Sequence, residues 1–224
     1  MNSIINLFIM AGAFALMFLI SEFLYHKLKV KAEYTRKFAH LTTGLVSLLF
    51  PVMISNHWLV LLVCSAFCLF LVFSINYNLL PSINAIDRKS VGSIIYPFSV
   101  YGCYLAYKLF DSEYIYFYLP ILILAICDPL ATLFGKRWPL GPYRVGVEYK
   151  TWMGTTAFFL SAVIVGACLF YNFYPGLPFK DLILYCLIVS TVTAIAEACS
   201  GKGFDNISIP AAALVGMIII QSTG

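Results

Sequence analysis

Four polar constellations interrupt an otherwise apolar chain, and each carries residue types suited to phosphate, metal or proton chemistry. The most informative reads Ile126-Cys-Asp-Pro-Leu-Ala-Thr-Leu-Phe-Gly-Lys-Arg137. Pro129 has no backbone N–H and is best tolerated at the first position of a helix, while Asp128 is a favoured N-cap residue. The pair predicts a break in an apolar segment, with a half-helix starting at Pro129. Asp128, Ala131 and Gly135 then share one face at i, i+3 and i+7, which lets another backbone or a phosphate come close. Lys136 and Arg137 follow the carboxylate directly.

The second constellation is Gly141-Pro-Tyr-Arg144 followed by Gly146-Val-Glu-Tyr-Lys-Thr-Trp-Met-Gly154. Lys and Arg on a glycine-bearing loop beside a helix start suit the oxygens of a triphosphate: the cations supply charge and backbone N–H groups point outward. The pattern is not a P-loop, because G-x-x-x-x-G-K-[ST] is absent. The third, Ala196-Glu-Ala-Cys-Ser-Gly-Lys-Gly-Phe-Asp-Asn206, sets Glu197 and Asp205 on either side of a short glycine-containing turn. With Asp128 they could supply oxygens to Mg²⁺, which typically takes one or two carboxylates plus substrate phosphates. Asp205-Asn206 also suits a helix cap before the last apolar stretch. The fourth, Tyr34-Thr-Arg-Lys-Phe-Ala-His-Leu-Thr-Thr-Gly44, places Arg36, Lys37 and His40 on neighbouring turns. A further basic loop holds Asp87, Arg88 and Lys89. There is no H-E-x-x-H and no G-x-S-x-G, so zinc and hydrolase chemistry lack support. The seven cysteines form no C-x-x-C pair and read as reduced packing residues.

The elements that must position these groups are membrane helices. Of 224 residues, 62% are hydrophobic and 11% charged, against a charged share of about 25% in soluble domains. The excess apolar surface must face lipid. Apolar stretches run near 4–24, 38–54, 58–75, 93–109, 114–134, 155–174, 181–199 and 207–221, and lipid-exposed backbone must satisfy its own hydrogen bonds, so these should be helices. The expected fold is all-α: one integral membrane domain over 1–224, a polytopic bundle of about eight transmembrane helices. Ile4 to Leu24 lacks a basic region before it and a small-residue cleavage site after it, and reads as a retained span.

With the N-terminus outside, twelve of the 14 Lys and Arg fall in loops on the cytoplasmic side, and only Lys108 and Lys180 on the other. This is the positive-inside pattern, with both termini outside. Asp128 and Glu197 then lie near the cytoplasmic ends of their helices. Ionisable groups in membrane segments cost roughly 2.5–3.5 kcal/mol on insertion scales, so these two mark a functional site facing the cytoplasm. The net charge of +4 is too small and dispersed for nucleic-acid binding. Compact length and the absence of targeting segments point to a prokaryotic inner membrane.

The order R-K-x-x-H-x-x-x-G, R-x-S-x-G, D-P-x-A-x-x-x-G-[KR], K-[ST]-x-x-G and E…D-N-x-x-x-P resembles that of the polyprenol kinase family, which includes phytol, farnesol and dolichol kinases and CTP-dependent diacylglycerol kinases. The resemblance covers about residues 36–215. It implies phosphoryl transfer from CTP or ATP to the hydroxyl of an isoprenoid alcohol or diacylglycerol. Carried over, Asp128 would hold Mg²⁺ on the triphosphate, with Glu197 or Asp205 assisting. Lys136, Arg137 and Lys150 would clasp phosphate oxygens, and Arg36, Lys37 and Arg88 would add positive charge. Gly135, Thr151, Gly154 and Asn206 complete the implied nucleotide set. The acceptor's proton would pass to an acidic residue or to His40. Implied partners are the bilayer, a membrane lipid alcohol and a nucleoside triphosphate, with homo-oligomerisation left open.

Two positions depart from the family's pattern: Cys127 stands where relatives often carry Gly, and Met153 where an acidic residue commonly precedes the second glycine. The related phosphatidate cytidylyltransferases (CDP-diacylglycerol synthase-like) share D-x-x-A-x-x-x-G and K-[ST]-x-x-G. Their H-G-G and D-R-x-D elements are missing from Gly201-Lys-Gly-Phe-Asp-Asn206. A small membrane transporter is a second alternative, against which the hydropathy has no inverted repeat and the charges sit near one face.

Overall fold

The structure is a computed structural model that describes residues 3–77, 79–85 and 91–223. It is helical apart from one hairpin. The helices are α1 (Ser3–His26), α2 (Ala32–Ser47), α3 (Phe50–Met53), α4 (His57–Asn76), α5 (Pro81–Asn84), α6 (Gly92–Leu109), α7 (Ile115–Leu122), α8 (Asp128–Arg137), α9 (Trp152–Phe173), α10 (Phe179–Cys199) and α11 (Asp205–Thr223). A π-helical turn, Ile123–Cys127, joins α7 to α8. Strands β1 (Pro142–Val145) and β2 (Glu148–Thr151) form an antiparallel hairpin where a loop is expected from the sequence.

Among the described residues six helical segments are long and apolar enough to cross a bilayer: Ile5–His26, His57–Asn76, Ile115–Arg137, Trp152–Phe173, Phe179–Cys199 and Asp205–Ser222. The protein is an integral membrane bundle. The other two expected spans fall on α2 and α6. At 16 residues, α2 reaches only about 24 Å at 1.5 Å per residue, short of a hydrocarbon core of about 30 Å. It also carries Arg36, Lys37 and His40. Lipid-facing side chains such as Phe8, Leu69 and Ile164 are exposed, as the apolar excess requires.

The helix Ile115–Arg137 is the axis of the bundle. Its apolar window is 61% buried, against 22–44% in the other five. It packs on α2, α6, α9 and α11. The break expected at Asp128-Pro129 does not occur. Asp128 has helical φ and ψ and caps nothing. The π turn absorbs the proline, widening the helix where the ring of residue 129 would meet the preceding turn. Asp128 consequently sits about two and a half turns inside the helix end at Arg137.

Close approach of α2 to this turn depends on Gly44. A Cβ there would stand 2.4 Å from Ala125 Cβ and 2.9 Å from the Tyr96 hydroxyl. Overpacking of this kind costs about 1–3 kcal/mol. Gly44→Ala should therefore lower the thermal midpoint in detergent by several degrees. Gly12→Ala, where nothing lies within 4 Å of the added carbon, should leave it unchanged or slightly raised.

Candidate active site

Two buried ion pairs form the centre of the site. Asp128 and Glu197 are each 6% exposed. The Lys37 ammonium of α2 donates to Asp128 Oδ2 at 2.6 Å, and the Lys150 ammonium of β2 donates to Glu197 Oε1 at 2.6 Å and to the Glu197 backbone carbonyl. A charge withdrawn from water needs such partners, because its removal from solvent costs several kcal/mol unless it is paired and hydrogen-bonded.

The hairpin aims Lys150. In its register Tyr143 stands opposite Lys150, and both are half-buried while Arg144 and Tyr149 are exposed. The Tyr143 hydroxyl shares a 2.7 Å hydrogen bond with Thr155 Oγ1, and Thr155 reaches Glu197 Oε2 at 3.5 Å. Burial is the main cause that pushes the Tyr143 phenol above its ordinary range. Glu148 fixes the other end of the hairpin by accepting the Lys202 N–H at 2.9 Å. Lys202 in turn accepts the Val91 N–H at 3.1 Å. Arg144 bonds back to the Gly146 carbonyl at 2.8 Å. Sequence reasoning missed Tyr143, Thr155 and Glu148; the alternation Tyr143, Val145 and Glu148, Lys150 about the turn glycine Gly146 was the available signal.

His40 completes the Asp128 side. Its Nε2 lies 3.1 Å from the Leu124 carbonyl and 3.9 Å from Asp128 Oδ2. Pro129 explains the first contact. A π-register bond from residue 129 would end on Leu124, and proline has no N–H to give. The imidazole serves the carbonyl instead, and packs edge-on against Tyr96 with centroids 4.9 Å apart. Arg36, His40, Ser93, Tyr96 and Asn206 line a void of ≈ 60 Å³ immediately beside this pair.

Several expected site residues have other local roles. Gly135 and Gly154 bring α8 and α9 together. A Cβ on Gly154 would lie 2.9 Å from the Ala131 carbonyl and 3.5 Å from Gly135 Cα, and one on Gly135 would lie 2.7 Å from Thr151 Oγ1. Thr151 is the N-cap of α9 and accepts the Gly154 N–H at 3.1 Å. Of the two visitors the spacing allows, a backbone fills the Gly135 face. Lys136 pairs with Glu33 at the exposed end of α8, and the Arg137 guanidinium lies 5.9 Å from the Trp138 ring. Asp205 opens α11 and accepts the Asn206 N–H at 3.1 Å. Among the described residues no group of three His, Cys, Asp or Glu side chains is found. Arg88 lies outside the described residues.

The chain is 29% identical over 183 residues to a phytol kinase from Synechocystis sp., an alignment covering 80% of this chain and 76% of that relative. No protein-family profile matches the sequence, and no solved structure matches it.

The glycine contact is directly testable. Gly154→Ala should lower the thermal midpoint in detergent by an amount matching about 1–3 kcal/mol of overpacking. An unchanged midpoint would show that α8 and α9 do not pack through this glycine.

Proposed function

We propose that this protein is a nucleoside-triphosphate-dependent lipid kinase, transferring the terminal phosphoryl group of CTP or ATP to the hydroxyl of an isoprenoid-type membrane alcohol. The observation that carries the reading is the presence of two buried lysine–carboxylate pairs, Lys37–Asp128 and Lys150–Glu197, the first with His40 at 3.9 Å. Similarity to a phytol kinase supports it independently.

Two buried carboxylates, each held by a lysine, supply the donor chemistry of Mg²⁺, which is usually bound through one or two carboxylates and substrate phosphates. Asp128 and Glu197 would hold the ion, and it would neutralise charge on the transferring group. Both carboxylates are compensated by lysine in the structure described. An arriving triphosphate offers those ammonium groups stronger acceptors, so Lys37 and Lys150 turn to phosphate oxygens and release the carboxylates. Arg36 adds charge from the next position of α2.

The acceptor oxygen attacks the terminal phosphorus, the bond from that phosphorus to the leaving nucleoside diphosphate breaks, and the hydroxyl proton passes to His40 or to a carboxylate. Catalysis of this type rests on positioning and charge stabilisation. The positive-inside rule, applied to the basic loops, supports a cytoplasmic site.

Purified protein incubated with labelled CTP or ATP, Mg²⁺ and separate lipids tests the reading. A kinase yields nucleoside diphosphate and a phosphorylated alcohol. Pyrophosphate and a CDP-lipid from phosphatidate would instead identify a cytidylyltransferase. Asp128→Asn should lower kcat by about 10²–10³-fold, the loss typical of removing one group that stabilises transition-state charge, while the thermal midpoint shows a folded protein. Normal turnover in that variant would remove Asp128 from the mechanism.

A further inference from the structure

The ≈ 60 Å³ void beside His40 has an apolar neighbour of ≈ 10 Å³, and Thr43, Phe67 and Tyr96 line both. The two are therefore back to back between α1, α2, α4 and α6. The first has a polar end made by Arg36, His40 and Asn206. It is several times the roughly 10–15 Å³ that admits one water. The second is walled by Phe14, Phe50, Val63, Pro97 and Val100 as well as the shared residues.

Tyr96 sits at their junction. It is 5% exposed, and its hydroxyl has no hydrogen-bond partner. Buried polar groups are almost always satisfied, so an orphan marks a place where a partner is missing. Three other buried atoms share this condition, on Asn6, Ser82 and Ser190, but Tyr96 is the one that lines both voids. The α1–α4 seam separates the cleft from the bilayer, and there Phe67 stacks on Phe18 at 5.4 Å and meets Phe14 at 5.2 Å. Among the described residues these ring contacts, and no side-chain hydrogen bond, join the two helices.

We propose that this cleft is the acceptor subsite: a single-chain alcohol enters between α1 and α4, places its hydroxyl against Tyr96 and His40, and runs its tail past Phe67, Phe14 and Val63. This rests on the kinase reading for the identity of the ligand and deepens it by naming the class. The polar end offers a hydroxyl the Tyr96 phenol and the His40 ring, whose Nε2 lies 3.9 Å from Asp128 Oδ2. The apolar end is the smaller of the two, ≈ 10 Å³ among Phe14, Phe50, Phe67 and Val100, which favours one tail over the two of diacylglycerol.

The test is photolabelling of the full chain in phospholipid nanodiscs with a C20 isoprenoid alcohol carrying a mid-chain diazirine, mapped by mass spectrometry. Labelling is expected on the segments containing Phe14–Phe18 and Val63–Phe67, to be competed by unlabelled alcohol and not by diacylglycerol, and to fall at least tenfold in Val63→Trp. Tyr96→Phe loses an unsatisfied hydroxyl, so it should be at least as heat-stable as the parent while its KM for alcohol rises fivefold or more and its KM for nucleotide stays within twofold. Labelling spread over the outer surface, or competed equally by diacylglycerol or by added phospholipid, overturns the subsite. So does an unchanged alcohol KM in folded Tyr96→Phe. The two readings separate cleanly: specific labelling without phosphorylation of any alcohol defeats the kinase assignment and leaves the cleft, whereas phosphorylation without specific labelling does the reverse.

Discussion

A carboxylate buried among membrane helices must bring its own counter-charge, and that constraint organises this molecule. Asp128 lies well inside the most buried helix of the bundle, and Glu197 near the end of α10. Neither could stay ionised there alone. Lys37 from α2 and Lys150 from the hairpin answer them, and each lysine adds a polar tie between its element and the helix that carries the carboxylate. Removing one partner of such a pair leaves an uncompensated buried charge, which is the costly case; pairing itself adds little net stability. The arrangement is therefore poorly explained as a device for holding the fold. Under the proposed kinase function it is a charge reserve whose members would exchange partners when a polyanion arrives.

The helical bundle was legible in the sequence because its signal is summed over long windows. Apolar runs near twenty residues leave few alternatives in lipid. Local geometry was less legible. Asp128-Pro129 has the composition of a helix start, yet the chain continues through it, because the central helix gains more from unbroken packing on four neighbours than from a capped half-helix. Residues 142–151 carry only a faint strand signal, because strands of four residues contain few positions for a two-residue period to show.

The candidate site shows the same division. Residue types and the order of motifs pointed to Asp128, Glu197, Lys37, Lys150 and His40, whose charges have few other reasons to lie in apolar surroundings. The glycines were ambiguous, since a missing side chain admits a phosphate or a helix equally, and Gly135 and Gly154 admit each other. Tyr96 was invisible: one aromatic residue in a chain with 15 Tyr and 19 Phe carries no signal until its hydroxyl is seen without a partner.

The contact between His40 and the Leu124 carbonyl reaches further than packing. A carbonyl can only accept, so Nε2 of the neutral imidazole must carry the hydrogen and Nδ1 must carry the lone pair. The tautomer of a histidine on one helix is thus selected by an amide hydrogen that an imino acid on another helix does not possess.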